Sequence, residues 1–171
     1  MLDFMIIPAV PADAECLKNM FFVNLEANPE YISHGEVQMG VGLMEKDADG
    51  EIRGTVAPDG ESMWMNYINE KIASDAAAVY KAVRDGEIIG FCVADIESDG
   101  ADPFGMVCDV LVKSGCRGGG IGQTLLNTAI EWLRGQGIRD IYLESGKNNH
   151  SAHRFFEKRG FAHISEIFKL F

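Results

Sequence analysis

Residues Cys116-Arg117-Gly118-Gly119-Gly120-Ile121-Gly122-Gln123 lie between a β-branched run, Val107 to Val112, and a strongly amphipathic stretch. The chain therefore has to leave a strand, pass a glycine-rich turn and enter a helix at its N-terminus. The four glycines of this turn let the backbone approach a ligand without Cβ clashes. The first N–H groups of a helix have no intrahelical acceptor, and the helix dipole adds positive potential at the same end. Such a turn suits an anion, a diphosphate above all, and Arg117 adds a fixed cation. Spacing excludes two nucleotide-binding loops. A P-loop needs lysine before its Ser/Thr, whereas Gly122-Gln123 precede Thr124. A G-x-G-x-x-G fingerprint needs glycine at its sixth position, and counting from Gly118 gives Gln123, from Gly120 gives Leu125. A helix start that is glycine-rich for purely structural reasons is the alternative, but turn glycines usually come singly.

What remains, Arg117-x-x-Gly120-x-Gly122, resembles the acyl-CoA pyrophosphate loop of the GCN5-related N-acetyltransferases, the GNAT superfamily. The stretch Asn149-His150-Ser151-Ala152-His153-Arg154-Phe155-Phe156-Glu157-Lys158-Arg159-Gly160-Phe161 is similar to that family's second signature, N-x-x-A-x-x-L-Y-E-K-x-G-F. Ile6 to Glu15 is similar to the family's first strand and helix start, and Asp85 to Phe91 to its β2–β3 hairpin. The resemblance covers residues 1–30 and 76–171. It implies an α/β GNAT fold, a mixed central sheet with helices on both faces whose fourth and fifth strands splay apart. The expected organisation is one domain, 1–171, with an unmatched helical and loop insertion at about 31–75.

Composition agrees with one soluble core. The chain has 171 residues, 47% of them hydrophobic and 24% charged, an ordinary globular balance. No apolar run approaches the roughly 18–20 residues of a membrane span, and Met1-Leu2-Asp3 lacks the basic start of a signal peptide. A cytoplasmic location is expected. Cys16, Cys92, Cys108 and Cys116 contain no C-x-x-C pair, so they read as reduced thiols, with no disulfide frame or metal site. Cys108 and Cys116 are the two positions where a reactive thiol remains an alternative to a small buried hydrophobe. Residues 1–75 carry 14 Asp/Glu against 4 Lys/Arg, and residues 76–171 carry 12 against 11. An acidic half repels a phosphate backbone, which excludes nucleic acid, and would attract a cationic amine. Most of those charges, Glu45 to Glu51 included, are also explained as a solvated surface.

Periodicity places a strand at Phe4–Val10, with Pro8 marking an edge or bulge, and a helix at Ala12–Asn28. Residues 36–46 and 62–74 are weaker helical candidates flanking a loop, Asp47 to Gly60. Ala78–Arg84 and Glu87–Glu97 pair through an Asp85-Gly86 turn. Gly105–Val112 is the next strand. Ile121, Leu125, Leu126, Ala129, Ile130 and Leu133 form one helical stripe ending at Gly135-Gln136-Gly137. Asp140–Ser145, 149–159 and Phe161–Leu170 complete a strand, a helix and a strand.

The resemblance then implies a site. Gly105–Val112 and Asp140–Ser145 hold the family's fourth and fifth strand positions, and their parting would let the amide-rich pantetheine arm use backbone groups of Val110, Leu111 and Val112. Arg117, Gly118, Gly119, Gly120, Ile121, Gly122 and Gln123 would bind the diphosphate, with Asn149 and Phe156 as further cofactor contacts. Asn149 has an equally good reason to be the N-cap of the last helix. Acetyl transfer to an amine needs a base, an oxyanion donor and a proton for the departing thiolate. The candidates are Asp109 and then Glu144 as base and a backbone N–H near Leu111 as donor; a surface or structural carboxylate is the alternative for each. The family's usual acid, a tyrosine, is here Phe156, which has no proton to give. Water, Tyr142, His150 or Ser151 would take its place, although His150 and His153 also read as helix-end polar residues.

The function implied is an acetyl-CoA-dependent N-acetyltransferase acting on a primary, cationic amine by direct attack in a ternary complex. A non-catalytic acyl-CoA-binding or regulatory domain is the competing class, supported by Phe156. Within 31–75, Tyr31, His34, Trp64, Tyr67 and four methionines could line an acceptor pocket, form the contact of a homodimer, or simply pack a core. Small-molecule and peptide amines both stay open as acceptors.

Overall fold

A computed structural model describes residues 3–98, 100 and 102–171; the leading Met1-Leu2 of the start examined for a signal peptide lie outside the described residues. Contacts divide the chain into two compact units, one of Met1–Phe21 with Met65–Glu144, the other of Phe22–Trp64 with Ser145–Phe171.

The first unit is built on five strands: β1 Met5–Pro8, β4 Ala77–Arg84, β5 Glu87–Glu97, β6 Phe104–Val112 and β7 Ile141–Leu143, ordered β1-β4-β5-β6-β7. β1, β4, β5 and β6 pair antiparallel, and β7 pairs with β6 in parallel, so the sheet is mixed. Pro8 sits on the edge strand, where its missing N–H costs no ladder bond. Asp85 (φ 50) and Gly86 (φ 81) both occupy the left-handed region, as a two-residue hairpin turn that matches strand twist requires. β5 is central, with every residue from Ile89 to Asp95 buried. Helix α4, Ile121–Gly135, lays Ile121, Leu125, Leu126, Ala129 and Leu133 against the sheet. These side chains are 0–1% exposed, and each buried leucine is worth about 1.5–3 kcal/mol. Bonds from Ile138 N to Leu133 O and from Gly137 N to Arg134 O, with Gly137 at φ 82, stop the helix at the glycines the sequence marks. Residues Tyr67 and Lys71 of α3, Gly60–Ala73, reach side chains of β6 and β5 in the same unit. Among the described residues no helix is long and apolar enough to cross a membrane.

The second unit departs from the sequence reading in two places. Residues expected as helix (36–46) and loop (47–60) form a short helix α2, His34–Gln38, and a hairpin of β2 Gly42–Lys46 and β3 Ile52–Val56. Gly42 and Gly54 look like breakers but face a neighbour that tolerates no side chain. A Cβ at Gly42 would stand 2.7 Å from Ile32 Cγ2, and one at Gly54 2.6 Å from Ile32 Cβ and 2.8 Å from Pro29 O. The acidic loop is only the turn. Asp47 accepts from the Asp49 and Glu51 N–H groups and from Arg53 Nε, which hold its carboxyl below the usual range, the Arg53 bond foremost. The second departure is Phe161–Leu170, expected as a strand, which has none. It joins no ladder, and Ile164, Ile167, Phe168 and Leu170 are all exposed, while Lys169 Nζ donates to Met44 O at 3.1 Å. Helix α5, His150–Glu157, forms as expected. Helix α1, Ala14–Ala27, contributes residues to both units.

Candidate active site

The strand order decides where backbone groups are left for a ligand. β6 pairs with β7 only at Gly105↔Ile141, Met106↔Tyr142 and Val107↔Leu143. Beyond Val107 its partners lie on β5 alone: Asp109↔Val93, Val110↔Cys92, Leu111↔Phe91 and Val112↔Gly90. Val110, Leu111 and Val112 are therefore in the stretch that β7 does not pair.

The glycine-rich turn follows β6 directly. Arg117 is exposed, and its Nε donates to Val112 O at 3.0 Å, tying the cation to the end of the strand. Gly118 (φ 90) and Gly120 (φ 80) take left-handed backbone, with Gly120 as the N-cap of α4. The intrahelical ladder starts with Thr124 N to Gly120 O at 3.0 Å, so the N–H groups of Ile121, Gly122 and Gln123 precede it. A Cβ at Gly118, Gly119 or Gly120 would meet nothing within 4 Å, so this side of the turn is open to a large ligand. Open space, N–H groups of a helix's first turn and an anchored guanidinium fit a diphosphate.

Asp109 has a partner that sequence reasoning missed. Tyr67 Oη donates to Asp109 Oδ2 at 2.7 Å. Burial first, then the Asp109 charge, push the Tyr67 hydroxyl well above its ordinary value of 10. Burial first, then Asp109, push the neighbouring Cys108 thiol up to about 12, which excludes it as a ready thiolate. From the sequence alone Tyr67 is only one of the residues of 31–75 that could line an acceptor pocket, form a dimer contact or pack a core, and no spacing links it to Asp109, 42 positions away.

The remaining candidates lie elsewhere. Tyr142 is 41% exposed, edge-on to Phe104 with ring centroids 5.8 Å apart. Glu144, placed on a strand by the sequence, is exposed and lies one residue beyond β7. In the second unit, Asn149 caps α5, its Oδ1 accepting from Ala152 N at 3.2 Å, and Ser151 Oγ donates to the same oxygen. His153 Nε2 bonds Gly146 O at 3.0 Å, and His150 packs edge-on to it, as helix-end residues do. Phe156 packs against Phe155 and Phe161 with centroids 5.2 and 5.9 Å away. Among the described residues no group of three or more His, Cys, Asp or Glu could hold a metal ion.

The profile of the family described as Acetyltransferase (GNAT) family matches residues 44–161. A mycothiol acetyltransferase of Streptomyces avermitilis is 33% identical over 108 residues, which is 61% of this chain and 34% of that protein. The chain thus spans about a third of the length of this relative. A "predicted acetyltransferase" of Clostridium acetobutylicum, solved with acetyl-CoA, aligns over 98% of this chain and 95% of its own, with TM-score 0.72 and 16% identity. An aminoglycoside N-acetyltransferase in complex with CoA aligns over 98% and 93%, with TM-score 0.68 and 16% identity. At such identities the two structures establish a shared fold.

Proposed function

Because this chain belongs to the GNAT acetyltransferase family, we propose that it transfers an acetyl group from acetyl-CoA to a primary amine, within one domain that spans residues 1–171. The observation that carries the reading is the open, glycine-rich turn with Arg117 anchored to Val112 O, directly after the part of β6 that β7 leaves unpaired. Acetyl-CoA, when bound, supplies the acyl group already activated as a thioester.

The chain's residues divide the remaining work. Arg117 and the N–H groups of Gly118 to Gln123 hold the diphosphate, and backbone groups of Val110, Leu111 and Val112 hold the pantetheine amides. A backbone N–H near Leu111 is the donor to the carbonyl oxygen as negative charge develops there. Asp109 accepts the proton that the amine must lose, because an ammonium has no lone pair with which to attack. Glu144 is the second carboxylate for that task, and Tyr142 or water provides the proton for the leaving sulfur, Phe156 having none. For Asn149 and Phe156 a cofactor contact rests on the family resemblance alone.

The acceptor is proposed to be a small cationic amine. Two facts support it: similar proteins are named for acting on mycothiol and aminoglycosides, and the first 75 residues hold 14 acidic against 4 basic side chains. Release of free thiol from acetyl-CoA, screened over polyamines, aminoglycosides, amino sugars and peptide N-termini, tests the reading. Amine-dependent release is expected. Coenzyme A binding with no release from any amine would favour the non-catalytic reading that Phe156 suggests.

A further inference from the structure

The β5–β6 register steps from Val93↔Asp109 to Ala94↔Val107, which leaves Cys108 without a partner residue of its own. A bulge of this kind carries two consecutive side chains to one face of the sheet and breaks strict alternation. Cys108 and Asp109 both interact with Tyr67, in keeping with that geometry. Asp95, on β5, is 5% exposed and takes an ion pair from Lys71, one helical turn beyond Tyr67. Two carboxylates thus meet the same stretch of α3 in different ways. Asp95 faces a cation. Asp109 faces a neutral hydroxyl.

The difference matters for a group that has to take up and release a proton. A buried carboxylate ion-paired with lysine is held ionised, and protonating it abandons the pair. A hydroxyl donor orients one carboxylate oxygen and favours the ionised form while adding no opposing charge. Resting on the reading of Asp109 as the proton acceptor, we infer that Tyr67 is a positioning residue for it: its hydroxyl fixes Oδ2 and sets the pH at which Asp109 becomes a base.

Tyr67 is suited to the role across the working range. Burial, reinforced by the Asp109 charge, keeps its proton in place well above pH 10, so it stays a donor while Asp109 titrates. Tyr67 from α3, Cys92 from β5 and Cys108 beside it each feel the Asp109 charge, while Lys71 from α3 and Glu97 from β5 act on Cys108, and Lys71 pairs with Asp95. The two thiols are pushed up to about 12 and remain neutral while Asp109 titrates. Lys71 Nζ stands 5.6 Å from the Tyr67 ring centroid and is held by Asp95, which steadies the ring.

Tyr67→Phe keeps the ring and deletes the donor. Loss of a hydrogen bond to the ionised form raises a carboxyl pKa, so the Asp109 midpoint should rise by about one unit or more. It is read by carbon NMR of protein labelled at the aspartate carboxyls, the signal assigned with Asp109→Asn. The acid limb of kcat/KM should rise with it, while KM for acetyl-CoA stays unchanged. Fluorotyrosine at position 67 retains the shape and is a stronger donor, so it should move the midpoint the other way, and it serves where Tyr67→Phe does not fold. A midpoint unmoved by both substitutions, with only a lower Tm, would overturn the role and leave Tyr67 as packing. The titration needs no turnover: absence of amine-dependent thiol release from the unmutated chain counts against the transferase reading, and an unmoved midpoint counts against Tyr67.

Discussion

The two halves of β6 are one strand with two environments. Gly105 to Val107 pair with β5 on one side and β7 on the other, whereas Asp109 to Val112 pair with β5 alone and Cys108 is the bulged residue between. The first half is governed by packing: a Cβ at Gly105 would stand 2.8 Å from Leu133 Cδ1, so a methyl group there would have to displace the Leu133 side chain. The second half carries the bulge, the Tyr67–Asp109 bond and the carbonyl that anchors Arg117. A fully paired strand has no backbone to offer a ligand, and one that loses a neighbour has backbone and side chains available together.

If this division holds, Asp109→Asn should lower kcat by about 10²–10⁴-fold while coenzyme A affinity is kept, because a lost general base is felt in the chemical step. Gly105→Ala, four residues away, should do the opposite: destabilise the fold by about 1–3 kcal/mol through overpacking against Leu133, with kcat of the folded fraction intact. Chemical denaturation and steady-state kinetics on both variants check the pair. Equal losses of activity would erase the distinction between the halves.

Next in size is Arg117→Ala. A charge-assisted hydrogen bond is worth about 1.5–3 kcal/mol, so coenzyme A affinity should fall roughly 10–100-fold with kcat nearly unchanged, as measured by calorimetry and kinetics.

Alkaline pH should then weaken the fold. Cys92 and Cys108 rise from an ordinary 9.0 to about 12, so between those values the folded state holds protons that the unfolded chain has released. Stability is full below about pH 9 and declines as pH rises towards 12. A Tm series from pH 8 to 11 should slope downward, and Cys108→Ala should flatten it.

The smallest effect concerns the acidic first 75 residues. Screening acts over about 10 Å at 0.1 M salt, so kcat/KM for a cationic acceptor should fall severalfold between low and moderate ionic strength with kcat steady. A salt-independent kcat/KM would leave those charges with no part in recognition.

Much of the first unit was legible from residues alone. The Asp85-Gly86 turn, the α4 stripe from Ile121 to Leu133 and the glycine-rich turn each obey a local rule, and each formed as that rule requires. The misses arose where tertiary contacts overrode local rules. The strands at Gly42 and Gly54 hold glycine because Ile32 and Pro29 leave no room for a side chain there, which no local pattern announces. Phe161–Leu170 has strand composition but no ladder. Asp109 was legible as a carboxylate on a strand, but Tyr67 lies 42 positions away, and such a pairing depends on the fold rather than on spacing.

The most direct measurement is a calorimetric titration of coenzyme A into the unmutated chain and into Gly119→Val. Gly119 has open space around its Cβ position and, unlike Gly118 and Gly120, no left-handed backbone, so valine there should block the diphosphate without straining the turn. Saturable binding to the unmutated chain, lost in Gly119→Val at unchanged Tm, is the expected result. A flat titration of the unmutated chain, or equal binding by the two, would contradict the assignment of the Arg117–Gln123 turn as the cofactor site.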